Sequence, residues 1–192
     1  MASCVGPSAP TLSLSKKVDS RVNTGDQFKL DVLNGTTVLG TATTSGSATG
    51  LQSAKVGPVT VAEGTTYTLQ ETASGTTSLS SYAITASCIN SGSSIATTGS
   101  NGEFSVTVPA GAKGLIDCVI TNGPPKIELK KNVAERVNAA DQFTLAVKDA
   151  AGTTLIGTSA TTTGTATGVQ GVSAIAPVTP GTTYTLQETG SG

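Results

Sequence analysis

The chain has 192 residues, 36% apolar, 12% charged and only 3% aromatic, with a formal charge of −1 and neither His nor Trp. Without His there is no Ser-His-Asp triad, no Cys-His pair and no His-based metal site, and without a basic surplus nucleic acid has no surface to hold. The three Cys, at 4, 88 and 118, miss zinc-ligand spacing, and no Gly-rich phosphate loop or Asp-rich calcium loop is present; no metal, no cofactor and no enzymatic turnover are expected.

The 34 Thr and 21 Ser, together with Val and Ile, favour strands, while 23 Gly and 8 Pro supply the turns between them. Long helices are not expected, because no stretch carries apolar residues at spacings of three and four over several turns. Apolar runs of a few residues are too short to span a membrane, so no membrane insertion is expected in this segment. Residues 1–11 read as an N-terminal tail or the end of a preceding repeat. Cys4-Val5-Gly6-Pro7 faintly echoes Cys118-Val119 and Gly123-Pro124, and a cloning remnant is the other reading. Ala2-Ser3-Cys4 has the form of a lipoprotein cleavage box without the apolar segment such a signal needs.

The strands follow from alternation. Leu12, Leu14, Lys16 and Val18 share one face of the first strand. Asp26 precedes the second and is placed to bond turn amides; Phe28, Leu30 and Val32 form that strand's inner face. Asn34-Gly35-Thr36 fits a glycosylation sequon, but Asn-Gly is first a hairpin-turn signal. A weaker strand runs over 37–43, and the hydroxyl-rich stretch 43–50 reads as solvated loop and edge strand. Strands over 58–61 and 65–72 follow, the latter with Tyr67, Leu69 and Glu71 on one side. Tyr82, Ile84, Ala86 and Cys88 alternate next, then Phe104, Val106 and Val108, then Ile116, Cys118, Ile120 and Asn122. Seven or eight short strands separated by turns indicate a β-sandwich with a thin aliphatic core.

An internal repeat sets the organisation. Arg21-Val22-Asn23-Thr24-Gly25-Asp26-Gln27-Phe28 returns as Arg136-Val137-Asn138-Ala139-Ala140-Asp141-Gln142-Phe143, and residues 64–72 return almost unchanged at 181–189. Residues 12–123 are therefore expected to form one complete sandwich. Residues 124–192 are expected to begin a second that lacks its closing strands, after the stiff linker Asn122-Gly123-Pro124-Pro125. Lys131 aligns with Lys16, Glu188 with Glu71 and Asp141 with Asp26, while 161–168 repeats the hydroxyl-rich stretch.

Lys16, Glu71 and Asn122 stand at inward positions where apolar residues belong. A lone buried charge costs several kcal/mol, so these groups should be paired or neutral. The plain reading is a buried Lys–Glu ion pair with Asn as hydrogen-bond partner. The first-strand lysine, the segment Tyr67-Thr68-Leu69-Gln70-Glu71-Thr72 and the closing Cys118-Val119-Ile120-Thr121-Asn122 resemble CnaB-type, SpaA-like (prealbumin-like) repeats of bacterial pilins and surface adhesins.

That resemblance implies an all-β fold of tandem Ig-like sandwiches. It also implies a spontaneous Lys16–Asn122 amide bond promoted by Glu71, with Lys131 and Glu188 as the second-repeat equivalents. The family often places a cysteine pair in the strands of Cys88 and Cys118, which share inward parity here; the resemblance thus implies a disulfide, against the alternative of two buried thiols.

The function it implies is a stalk or fibre segment on an extracellular bacterial surface, whose partners are neighbouring repeats or copies of the same protein. The alternative is an adhesin domain that recognises a host glycan or protein. Clustered exposed aromatics would favour that alternative, and 3 Tyr and 3 Phe, mostly at inward positions, do not supply them.

Overall fold

Period-two alternation folds the first part of the chain into ten strands in a computed structural model that describes residues 9–191. The readings that concern Cys4 lie outside the described residues. The strands are β1 (Thr11–Val18), β2 (Gln27–Asn34), β3 (Thr37–Thr43), β4 (Gly50–Thr60), β5 (Thr66–Ser74), β6 (Ala83–Asn90), β7 (Ser93–Ile95), β8 (Thr97–Ser100), β9 (Glu103–Thr107) and β10 (Leu115–Gly123), with one 3-10 turn at Leu79–Ser81. They form two five-stranded sheets, ordered β4-β1-β10-β6-β7 and β3-β2-β5-β9-β8. Leu12, Leu14, Leu30, Val32, Leu69, Val106, Ile116 and Ile120 fill the core between the sheets, with Tyr67 and Phe104 at its margins. Burial of these aliphatic side chains, each contributing about 1.5–3 kcal/mol, is the main driving term.

First and last strands lie side by side. β1 pairs in parallel with β10, with Lys16 opposite Ile120 and Val18 opposite Asn122. On its other side β10 runs antiparallel to β6, which sets Cys118 opposite Cys88. In the second sheet β5 is flanked by β2 and β9, so Glu71 sits in a central strand opposite Leu30.

Two features depart from the sequence reading. The strand expected over 58–61 begins at Gly50 and runs for 11 residues. Its first half alternates weakly because Leu51 points to solvent while Gln52 and Ala54 face inward, and Gly57-Pro58 looks like a break. That pair instead lies where the β1–β4 register shifts between Leu12 and Leu14, on an edge strand that tolerates Pro. The second departure is β7 and β8, which carry almost no apolar residue and so gave no alternation to read.

The β8–β9 hairpin turns through Asn101 and Gly102, both in the left-handed region at φ 54° and 88°. The Gly102 carbonyl accepts a 2.6 Å hydrogen bond from the Glu71 amide, and a Cβ there would lie 2.9 Å from the Glu71 carbonyl oxygen. Gly102→Ala is therefore expected to lower stability by about 1–3 kcal/mol. A urea midpoint equal to the parent's would refute this.

The chain divides into two compact units between Pro124 and Pro125. The second contains β11 (Lys126–Val133), β12 (Gln142–Lys148), β13 (Ala160–Thr161), β14 (Gly168–Pro177) and β15 (Thr185–Ser191). β11 pairs with β14, and β12 lies between β13 and β15, as β1 pairs with β4 and β2 lies between β3 and β5. Val133, Leu145, Val147, Ala174 and Ala176 are buried, but Ile127, Leu129 and Phe143 are only half-buried, unlike the fully covered Leu12, Leu14 and Phe28.

Candidate cross-link site

Three strands bring the inward polar residues of the first unit together. Lys16 from β1 and Asn122 from β10 are 0% exposed, and Glu71 from β5 is 3% exposed. The Lys16 ammonium donates to Glu71 Oε2 at 2.9 Å and to the Ile120 carbonyl at 3.3 Å. Asn122 Nδ2 donates to Glu71 Oε1, so one carboxyl group holds both neighbours. Asn122 Oδ1 is buried without a hydrogen-bond partner. An orphan buried carbonyl costs about 1–3 kcal/mol and marks a strained or reactive group.

The surroundings are buried and aromatic. Lys16 Nζ lies 4.8 Å from the centroid of the Phe28 ring, which meets Tyr82 edge-on at 5.3 Å. Tyr82 donates to Asp26 Oδ2 at 2.5 Å and accepts from the Val22 amide at 2.7 Å. Burial, then the bond to Asp26, pushes its phenol up to about 12. Asp26 also takes the Asn23 amide at 2.9 Å, as Asp141 takes the Asn138 amide at 3.0 Å, the turn role read from the sequence.

Burial lowers Lys16 to about 8 despite the opposing pull of Glu71, and burial raises Glu71 despite Lys16 and Asn122. Both shifts move the pair toward a neutral amine beside a neutral acid. The consequence for stability can be measured in Asn122→Ala, which keeps the Lys16–Glu71 pair. Between about pH 8 and 10.5 the unfolded lysine still holds a proton that the folded one has released. Unfolding then takes up a proton, so stability is expected to rise with pH across that window. Comparing urea midpoints of Asn122→Ala with and without Lys16→Met isolates the lysine, and parallel pH profiles would contradict a lowered amine.

Cys88 and Cys118 are joined in a disulfide whose half-cystines are separated by 30 residues. The bond ties β10 to β6 two turns of the pleat before Asn122, fixing the strand that presents the amide. In the second unit Lys131 Nζ lies 2.8 Å from both oxygens of Glu188 and 4.4 Å from the Phe143 centroid. This pair reproduces the first, yet its side chains are 21% and 43% exposed rather than sealed.

Other candidates are plain. An open cleft of about 560 Å³ lies between the β6–β7 and β9–β10 turns, lined by Ser93, Ile95, Pro109, Ala112 and Lys113, with no aromatic anchor. Asn34 is exposed at the β2–β3 turn, and no group of three metal-ligating side chains occurs among the described residues. No helix among them is long and apolar enough to cross a membrane. Sequence reasoning missed Asp31, which is 3% exposed although its parity in β2 points outward; nothing in the strand pattern signals that burial.

Paired β-sheets enclosing a lysine, an acid and an amide define an interior cross-strand polar site within an all-β sandwich. The family model described as a prealbumin-like fold domain matches residues 11–124 and again 126–192. The chain belongs to this family of SpaA-like, prealbumin-like repeats. No curated protein matches it. Among solved structures, the major pilin protein (T-13) of Streptococcus pyogenes is similar at 15% identity, over 93% of this chain and 80% of that one, with a TM-score of 0.25, too slight a likeness to bear on function.

Proposed function

We propose that the chain is a structural segment of a bacterial surface or pilus-like fibre, in which the domain of residues 12–123 closes itself covalently through a Lys16–Asn122 amide. A second domain, residues 124–192, carries the equivalent Lys131 and Glu188 and meets neighbouring repeats or copies of the protein. The observation that carries this reading is the single buried carboxyl group of Glu71 shared by Lys16 and Asn122.

The chemistry follows from that sharing. A neutral Lys16 amine is a nucleophile, and a protonated Glu71 is a donor. A half-turn of the Asn122 carboxamide places its orphan oxygen toward the acid, which then polarises the carbonyl. The amine nitrogen bonds to Asn122 Cγ, the bond to Nδ2 breaks, and the proton lost by the amine leaves with it as ammonia by way of Glu71. No electrons are exchanged. Folding supplies the proximity that an unreactive carboxamide requires. The disulfide fits an oxidising, extracellular setting.

Intact mass under reducing conditions tests the proposal. The parent is expected to weigh one ammonia less than its sequence, and the full sequence mass would return the site to a buried ion pair.

A further inference from the structure

Lys16 shares the Phe28 ring with a second cation. The Arg21 guanidinium carbon lies 5.9 Å from the ring centroid, so it is at most about 11 Å from Lys16 Nζ. Arg21 is held there by neutral acceptors: the Asp26 carbonyl, the Ala48 carbonyl at 3.1 Å and 3.0 Å, and Gln52 Oε1 at 3.0 Å. Such bonds fix the guanidinium without cancelling its charge.

The second unit repeats the arrangement. Arg136 bonds the carbonyls of Asp141 and Ala166 and lies 5.9 Å from the Phe143 centroid, with Lys131 over the same ring. An Arg–Phe–Lys cluster therefore comes with the recurring segment Arg-Val-Asn-x-x-Asp-Gln-Phe.

We propose that Arg21 is a positioning residue of the cross-link site, a fixed positive charge that acts on Lys16 across the shared Phe28 ring to favour the neutral amine. This inference rests on the cross-linking reading, which needs that amine neutral to attack. The charged and titratable groups around Lys16 act in both directions. Glu71 from β5 and Asp19 from the β1–β2 loop favour the ammonium, while Arg21 and burial oppose it. Tyr82 and Asp26 stand beyond Phe28, and Asn122 on β10 is neutral. Arg21 thus offsets part of the pull of Glu71, allowing the acid to sit within bonding distance without locking the lysine as an ion.

The test uses the 192-residue chain carrying Asn122→Ala, in which no amide can form, with the Lys16 side chain titrated by NMR. Adding Arg21→Gln is expected to raise the Lys16 midpoint by about 0.5–1 pH unit, the size of a unit charge at this range in a partly screened interior. Arg21→Lys, which keeps a charge on the same loop, is expected to leave the midpoint within about 0.3 unit. A merely structural arginine would lower the melting temperature without moving the midpoint, and that result overturns the proposal. If Arg21→Gln does not fold, Arg21→Met, which keeps an aliphatic stem beside Phe28 without a charge, decides: a raised Lys16 midpoint supports the charge role, and an unmoved one refutes it. Loss of ammonia is read separately in the parent, so failure of the cross-link and failure of this inference are distinguishable.

Discussion

Replacing Glu71 with Ala is expected to leave the ammonia of Asn122 in place and to cost more stability than loss of the disulfide. The variant should fold, because the disulfide and the aliphatic core are untouched. Two losses combine. The proposed amide between Lys16 and Asn122 would close a loop on the order of 100 residues and so contribute about 4–5 kcal/mol in the chain-entropy model. Removing the acid also leaves Lys16 buried without its partner, a change that typically costs about 3–5 kcal/mol, reduced here because the amine can shed its proton. Glu71→Gln separates the roles: it keeps a hydrogen-bonding side chain but cannot supply a proton, so it too should retain the ammonia. Intact mass and urea denaturation read both variants, and a Glu71→Ala chain lacking the ammonia would remove the acid from the proposed reaction.

The second large effect is expected from Cys88→Ala/Cys118→Ala. The disulfide closes a loop of 30 residues, so its removal should cost about 3–4 kcal/mol. The variant also tests how far the proposed Lys16–Asn122 amide depends on the disulfide. β1 remains paired with β10 over the whole length of β1, with Val18 opposite Asn122. The ammonia should still be lost, more slowly, since one flank of the presenting strand is looser. A variant as stable as the parent in urea would mean that β6 and β10 hold their register without the bond.

The fold was legible where one face of a strand is almost wholly apolar. β1, β2, β5 and β10 alternate so cleanly that Lys16, Glu71 and Asn122 stood out as polar residues in apolar positions, and the repeat marked the first two again. β4 was half legible, because Leu51 is 69% exposed and Gln52 and Ala54 face inward, reversing the expected order. The collar around Lys16 was not legible at all. Arg21 and Tyr82 meet Phe28 from loop and strand-start positions 7 residues before and 54 residues after it in the chain, and strand parity says nothing about such partners. Asp31 escaped for a related reason, since parity assigns a side to a residue but not what lies over it.

The parallel pairing of β1 with β10 has a mechanical consequence. The chain enters the first unit at the start of β1 and leaves at the end of β10. Tension applied at these two points pulls the adjacent strands in opposite directions along their common axis. That is shear, in which the ladder from Thr11–Leu115 to Val18–Asn122 is loaded together instead of being unzipped one rung at a time. A covalent tie from Lys16 to Asn122 would shorten the load path to the few residues before Lys16 and the last one or two of β10. The strands between them, β2 to β9, would then lie off that path and keep their fold under tension.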